Sequence, residues 1–285
     1  MTLRVGTRGS ALARTQSQWV ADRVAATSGE PVELVVISTR GDRDQRSALS
    51  RIGGKGLFTA ELEAALRDRS IDFAVHSLKD LPTADPEGLV LGAIPEREDP
   101  RDALVGKPLE ALGPGSRVAT GSLRRKVQLE AHVPGIAIEE LRGNVDTRLR
   151  KLGERGLDGI VLAMAGLNRL GISRADVVPL AREIMIPAVG QGALAVQCRG
   201  GDDRVLERLE AIDDGPTRSA IDAERAFLAT YGGGCNVPAA AHAWWEGRQL
   251  HMLACAEGPD GLRRFAGEGS EPEALGIAAA RVLVS

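Results

Sequence analysis

Short β-like runs and helix-period runs take turns along this chain, and that alternation restricts the fold more than any other feature. Residues 3–7 read as a strand, 11–26 as a helix and 32–38 as a second strand. Residues 57–68 place Leu57, Glu61, Leu62 and Leu66 at helical spacing, and 71–75 form a short buried strand. The order is that of an α/β protein whose crossovers favour parallel strands. A Pro- and charge-rich stretch, Ile94-Pro95-Glu96-Arg97-Glu98-Asp99-Pro100, then breaks the pattern and reads as a domain crossing. Alternation resumes with strands at 118–120, 136–141 and 159–163 and helices at 123–131 and 145–152. A second crossing is expected at Ile186-Pro187-Ala188-Val189-Gly190-Gln191-Gly192, after which 193–197 returns to the first sheet.

Beyond Gly215 the pattern changes. A helix at 218–231 stops at Gly232-Gly233-Gly234, a left-handed cap. Strands at 242–245, 250–256 and 262–267 and a helix at 273–284 make a small α+β domain. The expected plan is two α/β lobes with a hinge and cleft, residues 1–95 with 190–213 and residues 98–187, plus a third domain at 216–285.

Composition narrows the function. Hydrophobic residues are 43% and charged residues 26%, so there is enough apolar material for packed cores. Aromatics are only 3%, which disfavours a nucleic-acid reader built on base stacking. The net charge of -3 comes without a polybasic run, so neither nucleic acid nor an anionic membrane is an expected partner. The start, Met1-Thr2-Leu3-Arg4-Val5, does not read as a signal peptide. Three cysteines, Cys198, Cys235 and Cys255, suit neither a disulfide framework nor a zinc site, so a cytoplasmic protein without a metal is expected.

The arginines are placed informatively. Thr120-Gly121-Ser122-Leu123-Arg124-Arg125 follows a strand and opens a helix, with Ser122 as N-cap. Free N–H groups and the helix dipole attract anions there, and two guanidiniums add bidentate donors for carboxylates. Arg142 and Arg148 repeat the idea in Leu141-Arg142-Gly143-Asn144-Val145-Asp146-Thr147-Arg148. Arg169 follows the strand at 159–163, and Arg8 the strand at 3–7, beside Ser10. Ligands of open α/β sheets bind beyond the carboxyl ends of strands, where all these residues fall. A set of solvated basic turns accounts for each of them singly; together they fit a ligand with several carboxylates.

Asp80 stands among these cations in His76-Ser77-Leu78-Lys79-Asp80-Leu81-Pro82, after the strand at 71–75. Such a carboxylate stays ionised and can hold an N–H donor or face a developing cation. Pairing with Lys79 or Arg8 is the plainer alternative, and His76 reads as structural. Gly53-Gly54-Lys55-Gly56-Leu57-Phe58 is a Gly-rich loop with one cation, without Walker spacing. Cys235, just past a helix end, is more open to chemistry than Cys198 or Cys255 inside apolar runs.

These runs, together with Gly6-Thr7-Arg8-Gly9-Ser10-Ala11-Leu12-Ala13 and Gln16, Arg97-Glu98-Asp99-Pro100-Arg101-Asp102 and Ala165-Gly166-Leu167-Asn168-Arg169-Leu170, occur in one order over nearly the whole chain. In that ordered set the chain resembles the porphobilinogen deaminase (hydroxymethylbilane synthase) family. The resemblance implies two lobes related to periplasmic binding proteins and a third domain carrying a dipyrromethane cofactor on a cysteine thioether, here Cys235. It implies the head-to-tail condensation of four porphobilinogens with loss of ammonia, followed by hydrolysis to hydroxymethylbilane. It makes Asp80 the catalytic carboxylate, facing the azafulvene cation. It gives Arg8, Ser10, Lys79, Ser122, Arg124, Arg125, Arg142, Arg148 and Arg169 to the cofactor and substrate carboxylates, and Lys55 to a mobile loop. A monomer that passes its product to uroporphyrinogen-III synthase is implied as well. The chain departs from the family in Asn236-Val237-Pro238-Ala239-Ala240-Ala241-His242, where a larger aliphatic residue and a Gly commonly follow the Pro and a Tyr stands near His242.

A solute-binding protein closing on a dicarboxylate would use the same arginines without needing Cys235. The effector-binding half of a transcription regulator would need a helix-turn-helix before the first strand, and none is evident.

Overall fold

The computed structural model describes residues 2–39, 59–232 and 237–284. The chain divides into two units, Met1–Arg97 with Ala193–Arg218 and Glu98–Gly192 with Ser219–Ser285. Elements are numbered along the chain.

The first unit holds strands β1 (Leu3–Thr7), β2 (Val32–Val36), β3 (Phe73–Ser77), β4 (Leu89–Ala93) and β10 (Leu194–Arg199) in the order β2-β1-β3-β10-β4. Helices α1 (Ala11–Ser28) and α6 (Asp203–Glu210) cover one face, where Val20, Val24 and Leu209 pack on Val5, Phe73 and Val196. Helix α2 (Ala60–Arg67) covers the other through Leu62 and Leu66, against Ile71 and Ala74. With both faces covered, β3 and β10 are buried almost throughout, which is why they read as apolar runs without alternation. Phe73 is completely buried; withdrawing such a side chain from water contributes about 2–3 kcal/mol.

The second unit holds β5 (Asp102–Gly106), β6 (Arg117–Ala119), β7 (Ala137–Glu139), β8 (Gly159–Ala163) and β9 (Val177–Pro179) in the order β7-β6-β8-β5-β9. Helix α3 (Leu123–His132) seats Leu129 against Val118 and Val161 on one face. Helices α4 (Val145–Glu154) and α5 (Met164–Arg169) seat Leu152 and Leu167 on the other. The same unit contains a third, antiparallel sheet of β11 (Ala239–Glu246), β12 (Gln249–Gly258) and β13 (Gly261–Gly269). Its inner face packs on α7 (Gly215–Tyr231), which runs across the unit boundary, and on α8 (Pro272–Val284), through Phe227, Met252, Ala254 and Ala279. Gly232 takes the left-handed conformation, φ 78°, that stops α7 as its sequence predicts.

The α/β class and the α+β C-terminal part are as the sequence predicts. The strands of the first two sheets are not all parallel, however. β10 runs antiparallel to β3 and β4, and β5 runs antiparallel to β8 and β9. Only a strand–helix–strand crossover enforces parallel pairing, and β5 and β10 each enter their sheet straight from the other unit. The third strand covers Phe73–Ser77 rather than 71–75, so His76 and Ser77 lie inside it. β4, β5, β9 and α5 are too short to stand out in the sequence, whereas α6, with its Asp202 cap and with Val205 and Leu209 buried four residues apart, carries a readable period that the sequence reading passed over.

Candidate active site

Within the first unit, four expected residues fall at one sheet edge. β1 and β3 are neighbouring parallel strands, so their carboxyl ends emerge together. Arg8 and Ser10 follow β1, while Lys79 and Asp80 lie in the 3-10 turn that continues β3. Ser10 caps α1, its Oγ accepting from the Ala13 N–H at 3.2 Å. Gln16 joins helix to strand, its amide donating to the Ser77 Oγ at 3.1 Å. Lys79 is half-buried and Asp80 is exposed, so its carboxylate can meet a ligand. His76 is buried on the strand, and burial lowers its pKa to about 4, with Arg8 adding to the shift and a hydrogen bond with Gln197 opposing it. A neutral, enclosed imidazole fits the structural reading.

The second unit gathers the other arginines at the carboxyl ends of its parallel strands β6, β7 and β8. Ser122 caps α3, accepting from the Arg125 N–H at 3.4 Å. Arg124 and Arg125 turn inward from that first turn and are buried. Both meet Asp102: Arg124 Nη1 lies 2.7 Å from Oδ2, and Arg125 Nη2 and Nε lie 2.7 and 3.0 Å from Oδ1. Burial alone would raise the Asp102 pKa, but the two guanidiniums outweigh it and hold the carboxyl well below the usual range. Arg125 is pulled down by its own burial, against the attraction of Asp102.

Asp102 lay outside the sequence reading of the site. The antiparallel course of β5 explains both its position and its neglect. Asp102 begins β5 yet pairs with Ala163, the last residue of β8, so the strand start falls on the carboxyl edge. A parallel β5 would have put it at the opposite end. Gln191, from the second crossing segment, completes the cluster with its amide 2.9 Å from Asp102 Oδ1 and 2.7 Å from the Pro100 carbonyl.

The remaining arginines are less enclosed. Arg142 pairs with Glu140 at 2.7 Å, and Arg148 donates to the Gly143 carbonyl at 2.7 Å. Gly143 turns the chain here at φ 114°, where a Cβ would press on Thr147. Arg169 donates to the Gly192 carbonyl at 2.7 Å, and burial lowers its pKa to about 10 against the pull of Glu98.

Cys198 and Cys255 are completely buried, and burial pushes both thiols up to about 11. Neither is a nucleophile near neutral pH. Cys235 and Lys55 lie outside the described residues. His242, at the departure from the family pattern, is buried with its Nδ1 3.2 Å from Glu224.

Two family models cover the chain. One, described as porphobilinogen deaminase, dipyromethane cofactor binding domain, matches residues 3–207, and the C-terminal domain of the same family matches 219–285. The chain belongs to the porphobilinogen deaminase family. A porphobilinogen deaminase of Brevibacillus brevis is 48% identical over 289 residues, covering 99% of this chain and 94% of its own length. One from Moorella thermoacetica is 49% identical over 291 residues, covering 99% and 93%. A solved periplasmic substrate-binding protein of an ABC transporter from Coxiella burnetii aligns with 75% of this chain and 92% of its own, at 18% identity and a TM-score of 0.47. Membership at this identity over the full length carries the family's activity. The chain is a hydroxymethylbilane synthase (EC 2.5.1.61), a transferase of tetrapyrrole biosynthesis that condenses porphobilinogen on a dipyrromethane cofactor with release of ammonia. Among the described residues no helix is long and apolar enough to cross a membrane.

Proposed function

We propose that Cys235 carries the dipyrromethane and that Asp80 is the catalytic carboxylate of the condensation. The observation that carries the first assignment is the burial of the other two cysteines, with thiols near pKa 11 inside β10 and β12. A thioether needs a thiolate that can reach its electrophile, and that requirement leaves Cys235. Bound there, the dipyrromethane would supply the free pyrrole carbon that takes the first porphobilinogen, and each later unit would join the end of the chain so begun.

The donor set suits such a group. Each pyrrole bears an acetate and a propionate, and Arg124, Arg125, Arg142, Arg148 and Arg169 lie at one edge of the second sheet, with Ser122 capping α3 among them. Arg8, Ser10 and Lys79 offer cationic and hydroxyl partners at the corresponding edge of the first sheet, beside Asp80. Asp80 accepts pyrrole N–H bonds and sets its negative charge against the cation left as ammonia departs. Lys55, of the Gly-rich loop, is read as a further cation of the site. A cytoplasmic monomer that releases hydroxymethylbilane to uroporphyrinogen-III synthase completes the reading.

Intact mass tests the attachment. The purified chain should carry the added mass of two linked pyrroles, as should Cys198→Ser and Cys255→Ser, whereas Cys235→Ser should not. A modified Cys235→Ser protein, or a parent still unmodified after incubation with porphobilinogen, would overturn the assignment.

A further inference from the structure

Two buried cations share one buried anion at the carboxyl edge of the second sheet. Asp102 is completely enclosed, and Arg124 and Arg125 are each 5% exposed. Each guanidinium is fixed a second time by a main-chain carbonyl. Arg124 Nη1 donates to Ile186 O at 2.7 Å, and Arg125 Nη1 to Val161 O at 2.8 Å. Arginine in solution samples many rotamers, and a binding site that must first order its side chains loses affinity. Here the ordering is complete within the fold. One carboxylate also leaves two guanidiniums with a net positive charge. Nor does it exhaust their donors: Arg125 gives one N–H each from Nε, Nη1 and Nη2 to these partners, of the five it owns.

We propose that Asp102 is a positioning residue for the reaction, locking Arg124 and Arg125 in the orientation that receives dipyrromethane carboxylates. The proposal rests on the reading, given above, that these arginines hold ring carboxylates. Asp102 touches neither substrate nor cofactor and acts only through the two side chains. It reaches them because β5 is antiparallel, and Gln191 fixes the carboxylate itself. An ion pair that served packing alone would tolerate any change that kept the chain folded.

The test is to load apoprotein with porphobilinogen and follow the added mass, then measure kcat and KM on the loaded fraction. Asp102→Asn keeps the shape and removes the charge. It should slow loading and raise KM by at least about tenfold, with kcat changed much less, the pattern of weakened carboxylate holding. Adding Gln191→Glu returns a carboxylate to the same cluster, since Gln191 Oε1 already lies 3.5 Å from Arg124 Nη2. The double variant should recover part of the loading rate. Parental loading and KM in a folded Asp102→Asn would overturn the proposal. Parental loading in both Arg124→Lys and Arg125→Lys would instead overturn the underlying reading of the arginines. Should Asp102→Asn not fold, a crystal structure of the parental holoenzyme decides. Both guanidiniums held by Asp102 while donating to the dipyrromethane support the proposal. Guanidiniums released from Asp102, or cofactor carboxylates held elsewhere, overturn it.

Discussion

The buried carboxylate of Glu224 accepts the backbone N–H of Gly190 at 2.7 Å, so α7 grips the crossing segment whose next residue, Gln191, holds Asp102. The other oxygen of Glu224 accepts from the Ala243 N–H at 2.9 Å and lies 3.2 Å from His242 Nδ1. Glu224→Ala would strand these groups in a closed interior. We expect a loss of about 3–5 kcal/mol in urea unfolding, with Glu224→Gln losing distinctly less because one acceptor remains. Equal losses in the two variants would show that the charge and second acceptor of the carboxylate, not the remaining amide oxygen, govern this position.

His76 makes stability fall on acidification. Its pKa is about 4 in the folded chain against 6.5 ordinarily, chiefly through burial. The contribution is complete above pH 6.5 and disappears as pH falls to about 4, because only the unfolded chain takes up the proton in that window. The shift corresponds to about 3 kcal/mol. Urea unfolding at pH 7, 5.5 and 4.5 should show this slope in the parent and a flatter one in His76→Gln; identical slopes would remove His76 as its source.

Two glycines with similar backbone angles should respond very differently to alanine. Gly29 caps α1 at φ 71° with open space around the missing Cβ, whereas at Gly192, φ 88°, a Cβ would lie 2.3 Å from the Glu98 carbonyl oxygen. Gly29→Ala should cost about 1 kcal/mol, the ordinary penalty of a left-handed residue. Gly192→Ala should cost about 3 kcal/mol or more, because backbone has to move as well. Calorimetric unfolding of the pair compares them directly.

Asp80→Asn separates stability from catalysis. The residue is exposed on a short turn, so unfolding should change by no more than about 0.5 kcal/mol. Hydroxymethylbilane formation should fall by about 100-fold or more, since a neutral amide cannot balance the developing cation. Turnover near the parental rate would remove Asp80 from its assigned role.

The sequence by itself determined the class of fold, the places where arginines follow strands, and the cap at Ser122, which accepts from the N–H three residues on; Ser10 and Asn144 cap their helices in the same way, as the structure shows. The ordered motifs determined the family, because their spacing is written along the chain. Only the tertiary structure decided the direction of β5 and β10, which no local period encodes, and therefore only the structure brought Asp102 to Arg124 and Arg125 from 22 and 23 residues away. For Cys198 and Cys255 the sequence pointed to apolar runs, and the structure supplied their complete burial, which is a property of what packs around a strand. Local preferences are fixed by neighbours in sequence. The partners of a buried charge, and the pKa that follows from them, are fixed by which strands lie side by side.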